Sequence, residues 1–376
     1  MTVTIAQVET IPLLYPVAGH FKFFENAAGR PMGRPAVLVC ITASNGAEGW
    51  GECVPSPRWS YETVETVVTT IDKYLAPELL GRSPLEIDEL HSIMNRTIAP
   101  SFSTGQPICK AGVDLALFDL SGKLLNQTAR ERWSRHDNST VELSWTLNPR
   151  SLVKVEALVS QAHERGYRHF NIKVSPDPDY DLELVRLVRR LAPKAELWVD
   201  ANGGYSERDA LAIAPKLGDI AVSFFEQPVA PNRLASLARL KEQGALPIIL
   251  DEGIVSVVEL EEFHRLKLLD GVAVKVARVG GLEPARRQIE FLHENGLIFL
   301  GSGLTDPDVS LSGSLALFSA YGLAHAAALN GPQFLTASVL KSPFQADSGK
   351  ISAAGGCGLG IEVDRAKIEG LRLAEV

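Results

Sequence analysis

Long apolar runs are missing from this chain, and with them the simplest route into a membrane. No stretch approaches the ~18 consecutive apolar residues that a spanning helix needs. A basic surplus is missing too: 45 Asp and Glu outnumber 37 Lys and Arg, for a formal net charge of -8. Nucleic acid and anionic membrane surfaces both demand a basic footprint, so neither is an expected partner. An anionic small molecule stays open, because a bound divalent cation reverses the sign of the local field. Cysteine is scarce: Cys40, Cys53, Cys109 and Cys357 form no CxxC pair, which leaves neither a zinc site nor a disulfide framework. They read as buried thiols of a reducing compartment. No basic segment leads into a long apolar one near Met1, so that stretch reads as a strand and the expected location is cytoplasmic. No GxGxxG or P-loop follows a strand, which removes support for nucleotide binding.

What is there divides into regions. At 376 residues the chain is long for one core, and two domains are expected. Residues 1–55 alternate as strands, around Val3–Ile5, Ala36–Ile41 and Gly49–Glu52, with Asn45-Gly46 as a hairpin turn. The long loop 16–34 between the first two carries His20, Phe21, Lys22, Phe23, Phe24, Arg30 and Arg34. A loop of that length with aromatics in it suits a lid. Residues 60–130 read as helices, with an apolar stripe through Ala111, Leu115, Phe118 and Leu124.

From residue 140 strands and helices alternate with a period of roughly 25 residues. The strands are Glu142–Thr146, His169–Val174, Glu196–Val199, Val222–Phe225, Ile248–Leu250, Gly271–Lys275, Ile298–Gly301 and Ala327–Leu329. That rhythm predicts an α/β architecture, either a closed parallel barrel or a doubly wound sheet. The tail from Ser342 breaks the rhythm; it holds a short strand at Lys350–Ser352 and is expected to return to the N-terminal region.

Charge collects at the strand ends, where barrels hold their catalytic groups. Asp200, Glu226 and Asp251 are 26 and 25 residues apart, one β/α unit each, which sets three carboxylates on one rim. Each alone is an ordinary helix cap. Together, they repel one another unless a hard cation joins them. All-oxygen ligands favour Mg²⁺, with Mn²⁺ as the alternative. Lys173 and Lys275 stand on the second and sixth strands, with the carboxylate strands between them. Lys275 is surrounded by Val272, Val274 and Val276, an uncomfortable place for a surface lysine. The set suits removal of the proton beside a substrate carboxylate, with one lysine as base and the metal stabilising an enediolate.

These motifs resemble the enolase superfamily, in its muconate-lactonizing branch, over nearly the whole chain. The resemblance rests on Gly49-Trp50-Gly51-Glu52, Tyr61-Glu62-Thr63, the helix at Ala116–Lys123, the Lys173 strand, Val199-Asp200-Ala201-Asn202, Phe225-Glu226-Gln227-Pro228, Asp251-Glu252-Gly253, the Lys275 strand and Gly358-Leu359-Gly360. It implies a modified (β/α)₇β barrel over 131–341, with an α+β capping domain built from 1–130 and 342–376. It implies a homo-oligomer, Mg²⁺ on Asp200, Glu226 and Asp251, and acid/base work by Lys173 and Lys275. Loops 16–34 and 53–61 would set specificity. The candidate substrate contacts are Asn171, Trp145, Asn202, Asp306, His20, Phe23 and Tyr61.

Departures from the family pattern narrow the choice. The usual Lys-x-Lys of the second strand is Asn171-Ile172-Lys173. The seventh strand leads into Leu300-Gly301-Ser302-Gly303-Leu304, without the histidine base of racemase-like and sugar-acid dehydratase members. The segment Leu329–Leu335 lacks the Asp-x-Asp of dipeptide epimerases. The expected enzyme is an isomerase or lyase: a cycloisomerase or racemase/epimerase of a small carboxylate or amino-acid derivative, or a dehydratase of a hydroxy acid or hydroxyproline-like substrate. Trp145 suits a pocket wall and a core position equally. A non-catalytic, metal-stabilised binding protein on the same scaffold is the alternative of another class.

Overall fold

β1 (Ile5–Tyr15), β2 (Arg34–Ala43) and β3 (Glu48–Cys53) pair antiparallel in chain order. The turn between β2 and β3 carries Gly46 at φ 85°, in the left-handed region that the Asn-Gly pair supplies. In this computed structural model residues 3–26, 28–30, 32–135 and 140–373 are described. The ends of the proposed capping domain at 1–2 and 374–376, and residues 136–139 within the proposed barrel segment, lie outside them.

Helix Pro107–Leu125 lies across the sheet and is buried from Pro107 to Gly122. Glycine permits the close approach: a Cβ on Gly51 would sit 1.9 Å from the Gly112 carbonyl oxygen. Buried carboxylates then serve backbone donors. Glu62 accepts from the Ile108 and Cys109 amides, 2.7 and 2.8 Å away, at the open start of this helix. Glu52 accepts from the Tyr15 hydroxyl at 2.8 Å and from the Ser310 amide at 3.0 Å, joining the antiparallel sheet to helix Asp308–Tyr321.

The single strand expected at Glu142–Thr146 is two: β4 (Thr140–Glu142) and β5 (Ser144–Leu147). β6 (His169–Lys173), β7 (Leu197–Asp200), β8 (Phe224–Glu226), β9 (Ile248–Leu250), β10 (Gly271–Val274) and β11 (Ile298–Gly301) follow. β5 to β11 form one parallel sheet in chain order. The eighth strand expected at Ala327–Leu329 is reduced to two bridges, Leu143 to Ala327 and Ser302 to Ala328. These still join β11 to the β5 side and curl the sheet into the barrel. A longer strand is cut off because Gly331-Pro332 starts the short helix Gly331–Phe334 at once. Trp198, Phe224, Ile249, Ala273, Leu300 and Ala328 pack together as an apolar plug.

The tail divides its loyalties. β12 (Lys350–Ser352) pairs with β4 at the N-terminal end of the barrel, so this part does not return to the N-terminal sheet. Beyond it, Gly358 bridges Thr128 and Arg372 bridges Leu13.

Candidate active site

Parallel pairing puts the charged residues in one row. Lys173 ends β6, Asp200 ends β7 and Glu226 ends β8, and register partners are Lys173 with Asp200 and Asp200 with Glu226. Register partners share a face of the sheet, so these side chains point the same way. Asp251 and Lys275 follow β9 and β10 directly. In an eight-position barrel β6 and β10 are the second and sixth positions, so the two lysines approach from opposite walls.

Asp200, Glu226 and Asp251 are buried, with one oxygen of each within 4.8 Å of the others. Lys173 is hydrogen-bonded to Asp200. Lys275 Nζ lies 2.6 Å from Asp251 Oδ1, off the line of a good hydrogen bond, and 3.6 Å from Glu226 Oε1. Arg278 Nε is 3.6 Å from Asp251 Oδ1. Glu226 Oε1 and Asp251 Oδ2 are buried and receive no hydrogen bond. Orphaned buried carboxylate oxygens are costly. Together with Asp200, these two residues bring three carboxylates into one all-oxygen donor set that fits a hard divalent cation.

The electrostatics follow the geometry. Burial pushes the Glu226 carboxyl well above the usual range, and neighbouring Asp200 adds to the push. Burial acts upward on Asp251 too, but Arg278 and Lys275 outweigh it and hold that carboxyl low. Burial disfavours charge on Lys173, yet Asp200 and Glu226 overcome it and keep the ammonium protonated above its ordinary range. Glu252 is raised to about 7 by burial and by Asp251 beside it.

Trp59 and Glu252, which were not singled out from the sequence, join the lid phenylalanines in covering this cluster. The Trp59 ring centroid is 5.9 Å from Lys173 Nζ, 5.7 Å from Lys275 Nζ and 5.6 Å from Arg278 Cζ. Its Nε1 donates to Glu252 Oε1 at 2.9 Å. Phe23 stacks on Trp59 with centroids 4.3 Å apart, and Phe21 meets both rings edge-on. The only signals for Trp59 were its place in loop 53–61 and its size; for Glu252, that it follows Asp251.

The remaining sequence candidates scatter. Phe23 joins the roof. Asn171 donates from Nδ2 to Glu226 Oε2 at 3.4 Å, and its own Oδ1 is buried without a partner. Asn202, at φ 45°, is committed to Asp200: its amide N–H and side-chain Nδ2 donate there at 2.7 and 3.1 Å. Asp306 is buried and accepts from the Leu304 amide at 3.2 Å, while Arg34 Nε donates to the Leu304 carbonyl at 3.0 Å. Arg34 also donates to the carbonyls of Val54 and Pro55, so Asp306 belongs to a bolt between the sheet loops and the barrel. Trp145 is paired with Phe170, one residue off the face that carries Asn171 and Lys173. It turns outward onto Tyr167 at 4.9 Å, as a core tryptophan. His20 Nδ1 lies 2.6 Å from Glu25 Oε1 and 3.2 Å from Arg150 Nε, lining a cavity of about 520 Å³ with Trp145 rather than the carboxylates. Tyr61 is 62% exposed, and the loop reaches the site through Trp59 instead. A larger cavity of about 680 Å³, lined by His169, Glu196 and His325, lies at the other end of the barrel, away from this chemistry.

Known proteins resemble this chain in sequence and fold. Residues 23–131 match the N-terminal domain of the mandelate racemase / muconate lactonizing enzyme family, and residues 154–367 match the enolase C-terminal domain-like family. Chloromuconate cycloisomerase from Cupriavidus necator is 28% identical over 338 residues, covering 88% of this chain and 90% of that one. Muconate cycloisomerase 1 from Rhodococcus opacus is 27% identical, covering 96% of each. N-succinyl-L-Arg/Lys racemase from Bacillus cereus is 28% identical over 256 residues, 67% of each chain. The crystal structure of 2-chloromuconate cycloisomerase from Rhodococcus opacus superposes with a TM-score of 0.90 at 27% identity, covering 99% of this chain and 100% of that one. With both family domains matched in order around a buried acidic triad, this chain belongs to the muconate-lactonizing branch of the enolase superfamily and is an enzyme.

Proposed function

We propose that this enzyme removes the proton from the carbon next to a substrate carboxylate, in a Mg²⁺-dependent cycloisomerase-type reaction. The observation that carries it is the pair of buried lysines on opposite barrel walls, with three converging carboxylates between them. Asp200, Glu226 and Asp251 would hold the cation. When bound, that ion supplies Lewis-acid stabilisation of the second negative charge that develops on the substrate carboxylate.

The chain's own residues do the rest. One of Lys173 and Lys275 takes the proton at its Nζ, and the other presents an ammonium to the opposite face of the same carbon. Trp59, Phe23 and Phe21 exclude water above them. Asn202 holds Asp200 in place through two hydrogen bonds. The named cycloisomerase relatives support ring closure or opening as the overall reaction. Racemisation is the second reading, favoured by the opposed lysines, which can serve both faces of one carbon, and by the named racemase relative.

The test is proton–deuterium exchange followed by NMR in D₂O with Mg²⁺, over lactone-forming diacids, N-acyl amino acids and hydroxyprolines. Exchange at the carbon beside a carboxylate is expected, lost on adding EDTA and in Lys173→Met or Lys275→Met. Exchange that survives EDTA, or both substitutions, would sink the proposal.

A further inference from the structure

Asp200 and Glu226 stand side by side because they are register partners, but Asp251 lies beyond the end of β9, where regular pairing has stopped. Gln227 takes over there. Its amide N–H donates to the Ile249 carbonyl at 2.8 Å, continuing the ladder between β8 and β9. In a parallel ladder the next bond would run from the Asp251 amide to the Gln227 carbonyl. That carbonyl instead accepts from the Gly203 amide at 2.7 Å, on the β7 side, as the chain turns at Gln227 with φ 33°. The Asp251 amide goes to the Gln227 side chain. Oε1 accepts from it at 3.0 Å and from the Gly253 amide at 3.1 Å. Nε2 donates to the Val229 carbonyl at 2.9 Å, which fixes the orientation of the side-chain amide. A left-handed backbone at a residue other than glycine is unfavourable and persists only where its surroundings hold it. Two main-chain and three side-chain hydrogen bonds hold it here, on a fully buried residue. They reach the exits of β7, β8 and β9, the strands that position Asp200, Glu226 and Asp251.

We propose that Gln227 is a positioning residue that sets the spacing of the three carboxylates, and through it the size of cation they accept. This rests on the proposed metal reading of Asp200, Glu226 and Asp251. The ladder itself fixes Asp200 against Glu226, while the step from Glu226 to Asp251 is carried by one side chain. Mg²⁺ demands near-ideal octahedral geometry with ligands about 2.1 Å away, whereas Ca²⁺ accepts irregular sets at about 2.3–2.6 Å. A cradle that loses this brace therefore loses Mg²⁺ first.

The experiment titrates metal-free protein calorimetrically with Mg²⁺ and, separately, with Ca²⁺. Gln227→Met keeps the length of the side chain and removes all three of its hydrogen bonds. Mg²⁺ affinity should fall about tenfold, as when a support of a metal ligand is removed, and Ca²⁺ affinity about twofold or less. Gln227→Asn keeps the amide but shortens its reach. It should shift the Mg²⁺-to-Ca²⁺ ratio in the same direction, and it is the test if the methionine variant does not fold. A general loosening of the fold would weaken both ions alike. A Ca²⁺ loss equal to the Mg²⁺ loss or greater, or no loss for either ion, would overturn the assignment and leave the metal reading standing. An unaltered protein that binds no Mg²⁺ would overturn both.

Discussion

Trp59 Nε1 donates a 2.9 Å hydrogen bond to Glu252 Oε1, and through that contact the N-terminal region is fastened to the residue next to a metal-ligand candidate. The same carboxylate oxygen accepts from Asn202 Nδ2 at 3.2 Å, and Asn202 in turn holds Asp200. The roof and the carboxylate cluster are therefore one hydrogen-bonded unit.

Trp59→Phe should retain the ring and lose only the donor. A hydrogen bond of this kind is worth ~1 kcal/mol, so the closed-to-open ratio should fall about fivefold. The expected outcome in steady-state kinetics is KM raised about fivefold with kcat within about twofold. An unchanged KM would show that the bond does not hold the roof.

Mg²⁺ should raise the melting temperature by several degrees, because ligand that binds only the folded state stabilises it by mass action. Asp251→Asn and Glu226→Gln should lose this increment in differential scanning calorimetry. Without Mg²⁺, Glu226→Gln should melt no lower than the unaltered protein, since it removes one of three mutually repelling buried carboxylates. A full Mg²⁺ increment in either variant would contradict the site.

Glu52 gives a pH signature. Burial raises its carboxyl from 4.5 to about 8 in the folded chain. The folded state then binds more protons than the unfolded state between those values, so this group's contribution to stability falls as pH rises through that window and is level above it. Glu52→Gln keeps an acceptor for the Ser310 amide and should flatten the fall in urea-unfolding free energy between about pH 5 and 8, by ~1 kcal/mol per pH unit. Parallel curves for the two proteins would refute the shift.

Arg150 holds the lid from outside: its Nη2 donates to Glu25 Oε1 at 2.6 Å and to the Gly29 carbonyl at 2.9 Å. The Arg150 side chain is exposed and can solvate its charge in water, so Arg150→Ala should leave the melting temperature within about a degree. Amide hydrogen exchange over Phe21–Asn26 should rise about threefold or more. Unaltered exchange would remove Arg150 as a latch.

Much of this enzyme is legible along the chain. Strand and helix periods are local, and a β/α unit returns to the same rim each time. Spacing alone therefore aligned Asp200, Glu226 and Asp251, and the apolar run around Lys275 announced a buried amine. The Gly49–Glu52 strand was legible as a strand, while the close approach of a helix that its glycines permit is a finding of the structure.

Other residues were decided by packing between distant segments. Trp145 carries the same side chain whether it faces the barrel or the outer layer, and a pleat shifted by one residue chooses between them. Asp306 stands at a rim like the metal-ligand candidates, yet Arg34, far off in sequence, anchors the same loop through Leu304. Tyr61 and Trp59 are two residues apart on one loop, and only its docking exposes the first and seats the second over the lysines. The sequence by itself determined the barrel rhythm, the acidic triad and the two lysines, because their placement follows from repeated short-range geometry. The tertiary structure decided the roof and the lid contacts, because each depends on where a long loop comes to rest against segments more than 100 residues away.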